Sequence, residues 1–262
     1  ELVSGVTYSS TAFRNAVTDA YTALFAVADV AAGEMSDDQM AAEAIGELLP
    51  SSLDNTGACK VEEKDGLFVS SNRTGYAMVA DKVAYVTDAF GNYVGSKSFD
   101  DAASEDASVV EAVKTAAAGA YAAASEKNIS RIVKMYKDAE VVTLTPTGVQ
   151  STVNGAYTFT SEGATYYAMT ASAFGYGGPV NLLYIVDENG TIAKFKVMSH
   201  NETEYYGDVV SQSSYTNGYP GQQIDSIGDD VLVVSGCTFT TNAVKTAAAD
   251  VAAAFNAVKE AQ

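Results

Sequence analysis

The chain has 262 residues, 15 Lys and Arg against 33 Asp and Glu, and a formal net charge of −18 at pH 7. Acidity on this scale excludes nucleic-acid binding, which needs Lys and Arg to meet phosphates, and docking to anionic lipid. Two cysteines, Cys59 and Cys237, are too few and too far apart for a disulfide framework or a zinc site, and no apolar run approaches the roughly 20 residues needed to span a bilayer.

The length suits two packed units of roughly 100 to 130 residues each. At the start, Ser4-Gly5-Val6-Thr7 reads as a turn leading to a helix over residues 10–33, with Phe13, Val17, Tyr21, Leu24 and Phe25 at helical spacing. Ser36 caps a second helix whose first turn carries Asp37 and Asp38. Residues 67–69, 75–80 and 83–86 read as strands, 88–92 as a turn and 107–124 as a helix. The second unit begins near Ile129 and supplies strands at 141–145, 156–160 and 165–170. Residues 181–186 and 191–198 form a hairpin through Asp187-Glu-Asn-Gly190. Residues 231–234 suit a buried strand, and 242–250 are strongly helical. Strands and helices mixed without βαβ regularity give the α+β class.

One local design occurs three times. Residues 231–244 match the opening of the chain position by position: Ser4 with Ser235, Gly5 with Gly236, Thr7 with Thr238, Ser9 with Thr240 and Ala12 with Ala243. A third copy at 104–118 shares Ala-Val-Lys-Thr-Ala-Ala-Ala with 243–249, but has Glu105 in place of the glycine and Ala107 in place of the threonine. Each copy is a turn that delivers a side chain to the start of a helix. The residues alone leave two readings. One is a plain N-cap; the other is a hydroxyl carrying a phosphate, held by the free N–H groups and partial positive charge of the helix end without an arginine.

Ser235-Gly-Cys-Thr-Phe-Thr240 resembles the Ser/Thr-Gly-Ala-Thr-x-Thr flavinylation motif of the FMN-binding domain family. Three upstream signatures follow the family's order: Gly175-Tyr-Gly-Gly-Pro-Val180, Asp187-Glu-Asn-Gly-Thr-Ile192 and the loop His200-Asn-Glu-Thr-Glu-Tyr-Tyr-Gly-Asp208. The resemblance covers about residues 140–262 well, 1–30 as a tail fragment, and the middle weakly. The chain departs from the pattern at Cys237 (alanine in the family), at Glu204-Tyr205-Tyr206 (Pro-Gly-Leu) and at Leu232, where an acidic residue is usual.

The resemblance implies FMN joined through its phosphate to Thr238 by a flavin transferase, with Ser235, Gly236, Cys237, Thr240 and Thr241 shaping the acceptor turn. Gly175, Gly177 and Gly178 then leave the backbone open to a ring or phosphate. Glu202 and Thr203 contact the flavin edge, and Tyr176, Tyr205 and Tyr206 offer stacking faces. Thr7 is a possible second acceptor. No metal site or catalytic residue is expected. His200, the one histidine, reads as a packing or surface residue.

The expected organisation is two tandem FMN-binding-domain-like units, each a small antiparallel sheet with packed helices. Residues 1–35 are the motif and helix of a preceding repeat, 36–128 a degenerate unit without flavin, and 129–262 the FMN-binding domain. Because the chain opens in mid-motif, a longer tandem array is expected, any leader or anchor lying outside this sequence. The implied function is electron carriage at the cell surface or envelope by a non-enzymatic protein. Its partners are membrane quinol-oxidising or other redox proteins and neighbouring flavin domains. The alternatives are a non-redox surface spacer built from degenerate copies, and a subunit of an ion-pumping NADH-linked complex.

Overall fold

The computed structural model describes residues 35–49, 61–64, 66–70, 73–148, 152–204 and 207–261. Thr7, the helix expected over 10–33, Cys59, Tyr205 and Tyr206 lie outside them. Contacts divide the chain after Met40. All that follows concerns the unit from Ala41 onward, apart from the first turn of helix α1 (Asp37–Leu48). That turn opens with a capping box: Ser36 N–H donates to Gln39 Oε1 at 2.9 Å, and Gln39 N–H donates to Ser36 Oγ at 3.3 Å.

Two five-stranded antiparallel meanders make up the sheets. The first runs β1 (Val61–Lys64), β2 (Leu67–Ser70), β3 (Gly75–Ala80), β4 (Val83–Asp88) and β5 (Tyr93–Ser98). The second runs β6 (Glu140–Leu144), β7 (Val153–Ser161), β8 (Ala164–Phe174), β9 (Pro179–Asp187) and β10 (Ile192–Ser199). Helix α2 (Ala107–Met135) joins them, and α3 (Ser213–Thr216), α4 (Ile224–Asp230) and α5 (Thr238–Glu260) follow the second. The α+β class and the antiparallel sheets are as the sequence implies.

The two sheets share a turn. Asp88 ends β4 and Asp187 ends β9, and each Oδ1 accepts the N–H groups two and four residues on: Phe90 and Asn92 at 2.8 and 2.9 Å, Asn189 and Thr191 at 2.9 and 2.8 Å. The fourth residue of each turn is a glycine in the left-handed region, Gly91 at φ 88° and Gly190 at φ 83°. Upstream, Tyr76-Ala77 in β3 and Tyr167-Ala168 in β8 are buried at the same place in the two meanders.

Alternation places the core. In β9, Val180, Leu182, Tyr184 and Val186 face one hydrophobic cluster while Leu183 and Ile185 face another, so both faces of this interior strand are covered. Helix α5 covers the first face through Ala243, Val244, Ala247, Ala248, Val251, Ala254, Phe255 and Val258, its alanines allowing close approach to the sheet. Ile132 near the end of α2 covers the second. The beginning of the same helix covers the first sheet, Val113 and Ala117 packing with Tyr76, Val83 and Tyr85. Helix α1, through Ala44 and Ile45, and Leu49 just after it close that sheet's other face.

Two expectations change. The helix expected over 107–124 runs on to Met135, so the division expected at 128/129 falls inside an unbroken helix and not in a linker. Residues 231–234 are not a strand: they pair with no described strand, and Leu232 is 60% exposed. The final helix begins at Thr238, the helix start that the motif turn implies, and the whole threonine cluster lies in its first turn.

Candidate functional site

The acceptor turn is built from backbone constraints. Cys237 N–H donates to Val234 O at 3.0 Å, closing a four-residue turn whose third position, Gly236, lies at φ 84° where a β-carbon is strained. Cys237 is the N-cap of α5, and its side chain makes no capping bond. The first-turn N–H groups are thereby left facing the place where a phosphate on Thr238 would stand. Burial pushes the Cys237 thiol pKa up, and the Asp208 and Glu202 carboxylates add to the rise, which disfavours the thiolate.

Three threonines occupy this turn, and their hydroxyls have different fates. Thr240 is buried at 1% exposure and donates to Glu202 Oε2 at 2.6 Å. Thr241 is fully buried and donates back to the carbonyl of Cys237 at 3.1 Å. Thr238 is exposed. Ser235 is exposed in the preceding turn.

Thr238 lines a cleft of about 320 Å³ together with Tyr176, Glu202, Thr203, Gly207, Gly236, Cys237, Phe239 and Thr240. The rings of Tyr176 and Phe239, 58% and 62% exposed, lie 6.4 Å apart at 49°. Large exposed aromatics beside one another are unusual on a soluble surface and suit a planar ligand. Among the described residues no cluster of His, Cys, Asp or Glu could hold a metal ion.

The glycine turn works differently from its expected role. Gly175 N–H bonds Gly178 O at 2.8 Å, joining β8 to β9. A β-carbon at Gly175 or Gly207 would collide with a Glu202 carboxylate oxygen, and one at Gly177 with the Asn201 carbonyl. The space beside Gly175 and Gly177 is therefore filled by the 200–203 loop, and only Tyr176 of this turn lines the cleft. Glu202 is likewise a clamp: Oε1 accepts Gly177 N–H at 3.1 Å while Oε2 accepts Thr240. His200 Nδ1 accepts Glu202 N–H at 3.2 Å and shapes the same loop.

Glycine turn, carboxylate loop and helix start thus converge on one exposed hydroxyl. The family model described as FMN-binding domain matches this segment. An FMN-binding domain lies at residues 175–253. The match takes in β9, β10, the loops lining the cleft and most of α5, and it does not reach the first sheet. The chain is also 29% identical over 86 residues to a subunit of the proton-translocating ferredoxin:NAD(+) oxidoreductase complex of Clostridium ljungdahlii. That alignment covers 30% of this chain and 46% of the relative, so the chain spans about half the length of the curated relative it matches.

The residues present fit FMN. An anion-seeking helix end, an exposed hydroxyl and two aromatic faces stand around one cleft of suitable size. Phe239, Gly207 and Asp208 were not singled out by the sequence. Phe239 was readable in principle: between Thr238 and Thr240 it stands off the stripe formed by Thr240, Ala243, Val244 and Ala247, so it points away from the core.

Proposed function

We propose that the FMN-binding domain carries FMN covalently, as a phosphoester on Thr238 made by a flavin transferase, and that the chain is an electron carrier. The observation that supports this is the inequality of the three threonines: Thr240 and Thr241 are buried and hydrogen-bonded, whereas Thr238 is exposed in the cleft. FMN, when bound, supplies the electron-accepting and electron-donating chemistry. The chain supplies attachment at Thr238, amides at the start of α5 for the phosphate, and Tyr176 and Phe239 as stacking faces. Glu202 acts behind these groups, holding the loop to the helix.

We read the first sheet with α2 as a degenerate partner of this domain. The repeated meander and the matching Asp88 and Asp187 turns support common descent. The start of α2 argues against flavin there: Ala107 offers no hydroxyl, and Asp106 Oδ1 already accepts the Ser108 N–H at 2.7 Å and the Ser108 hydroxyl at 2.6 Å. A carboxylate in that place satisfies the helix end and repels a phosphate. This half fits a spacer role.

A covalent tether prevents loss of cofactor where none is resupplied, which suits the cell surface or envelope. Redox partners there, membrane quinol-oxidising proteins and neighbouring flavin domains of a longer chain, belong to this proposal. The similarity to one component of a ferredoxin:NAD(+) oxidoreductase complex favours a second reading, a place in a membrane redox complex. Co-expression with a flavin transferase tests attachment: the intact mass should rise by one FMN less water, mapping to the Thr238 peptide. The bound flavin should exchange electrons with artificial donors and acceptors, and turnover of a metabolite by the purified chain would overturn the carrier role. Isolation from its native membrane as part of a stable multisubunit NAD-reducing assembly would decide for the second reading.

A further inference from the structure

A second cavity, of about 80 Å³, lies where α2 passes from the first sheet to the second. It is lined by Arg73, Lys127, Arg131, Asn128, Asn154 and Asn181, with Tyr76, Ala124, Met198 and Ser199 completing the wall. Ala124, Lys127, Asn128 and Arg131 follow i, i+3, i+4, i+7 spacing and form one face of α2. Three cations among ten lining residues is a local reversal in a chain with 15 Lys and Arg against 33 Asp and Glu, and no carboxylate lines the cavity. Among the described residues, the ion pairs engage Lys82, Lys97 and Lys114, and none reaches these three cations.

The site is organised by neutral groups. Arg131 Nη1 donates to Asn128 Oδ1 at 3.1 Å, which fixes one edge of the guanidinium. Asn128 Nδ2 donates in turn to the Tyr157 hydroxyl at 3.0 Å, and Tyr157 to Ser125 Oγ at 3.2 Å. Across the cavity, Asn181 Nδ2 donates to Ser199 Oγ at 3.1 Å and Asn154 Oδ1 accepts from Thr170 at 2.8 Å. Neutral amides hold the arginine in place without neutralising it. Arg73 and Lys127 are exposed and Arg131 is half-buried, so the cavity opens to solvent and presents three positive charges to an anion.

We propose that this cavity binds a phosphate group, independently of the flavin site. Two guanidiniums and an ammonium match a dianionic tetrahedral head, arginine forks giving paired hydrogen bonds and lysine a point charge. The volume admits such a head and little more, so any organic remainder of the ligand projects out of the cavity.

The test uses the full chain without flavin and amide-resolved NMR at low ionic strength. Titration with inorganic phosphate should shift the side-chain amides of Asn154 and Asn181 and the Arg131 guanidinium in a saturable way. Lys127→Gln, which alters an exposed side chain, should weaken binding about tenfold, and Arg131→Gln by at least as much. Glycerol phosphate in place of inorganic phosphate separates the sources: tighter binding marks an organic phosphomonoester as the natural ligand, equal binding marks free phosphate. The proposal is overturned if no saturable shift appears, if shifts are confined to the amides of 236–240, or if Lys127→Gln and Arg131→Gln both bind as the parent does. None of these results bears on attachment at Thr238.

Discussion

Glu202 Oε2 accepts the hydroxyl proton of Thr240 at 2.6 Å, across 38 positions of sequence. The bond ties the loop after β10 to the first turn of α5, and the other carboxylate oxygen ties the same loop to the Gly177 amide. One side chain thus gathers three separate segments around Thr238. Thr240, two residues after Thr238, is thereby consumed in holding the loop to the helix.

Substitutions in the threonine turn should therefore separate attachment from architecture. Thr238→Ala should abolish the covalent flavin with unchanged thermal stability, and Thr238→Ser should keep it. Thr240→Val should keep the acceptor but leave the Glu202 carboxylate short of a partner, costing about 1–3 kcal/mol. Intact mass and urea unfolding of the three variants measure both effects. Full flavin on Thr238→Ala would show that another hydroxyl is the acceptor.

The clamp itself should be sensitive to volume. A β-carbon at Gly207 meets the Glu202 carboxylate, whereas one at Gly236 meets nothing within 4 Å and suffers only backbone strain at φ 84°. Gly236→Ala should cost about 1–2 kcal/mol, the penalty of a left-handed residue. Gly207→Ala should displace Glu202 and lower flavin yield far more than its stability cost alone would. If the two variants take up equal flavin, the loop does not position the site.

The elements legible from sequence were those whose cause is local. The turn at Asp187 needs only an aspartate, a glycine three residues on and flanking apolar alternation, all within a dozen positions. The glycine turn at 175–178 was legible as a turn but not in its purpose, since the group filling its space, Glu202, comes from a loop more than twenty residues away. Residues 231–234 misled for a related reason. Four apolar residues in a row look like a strand, but pairing is decided by segments distant in sequence, and the described strands pair with one another instead.

Asp88 gives a pH dependence with a definite sign. Its carboxyl is 4% exposed, and burial raises its pKa above the ordinary 3.8, against the opposing hydrogen bonds from the Asn92 side chain and from the Phe90, Asn92 and Gly91 amides. The folded chain holds this proton more tightly than the unfolded chain. Its contribution to stability is thus fully present below pH 3.8 and is lost as pH rises through the raised folded value. Asp88→Asn removes the titration, so the difference in unfolding free energy between parent and variant should change across that window and level off above it. Parallel curves from pH 3 upward would show that Asp88 titrates alike in both states.

The two helix starts give the sharpest comparison. Helix α5 begins with an exposed threonine behind an N-cap whose side chain makes no capping bond, while α2 begins with Ala107 behind a carboxylate bonded to Ser108. If a hydroxyl at a helix start were sufficient, Ala107→Thr would create a second flavin site. The electrostatics say otherwise, because Asp106 holds a negative charge where the phosphate would stand, and the family match does not extend to this half. Ala107→Thr should therefore remain unmodified while Thr238 in the same molecule is modified in full. Ala107→Thr combined with Asp106→Gly should also stay empty, since the cleft at this helix start is lined by Asp81, Asp100 and Glu105, whose carboxylates repel a phosphate. Peptide mapping after co-expression with the transferase reads both variants. Flavin on residue 107 in the single variant would mean that the turn sequence alone directs attachment and that the clamp at Glu202 serves stability only.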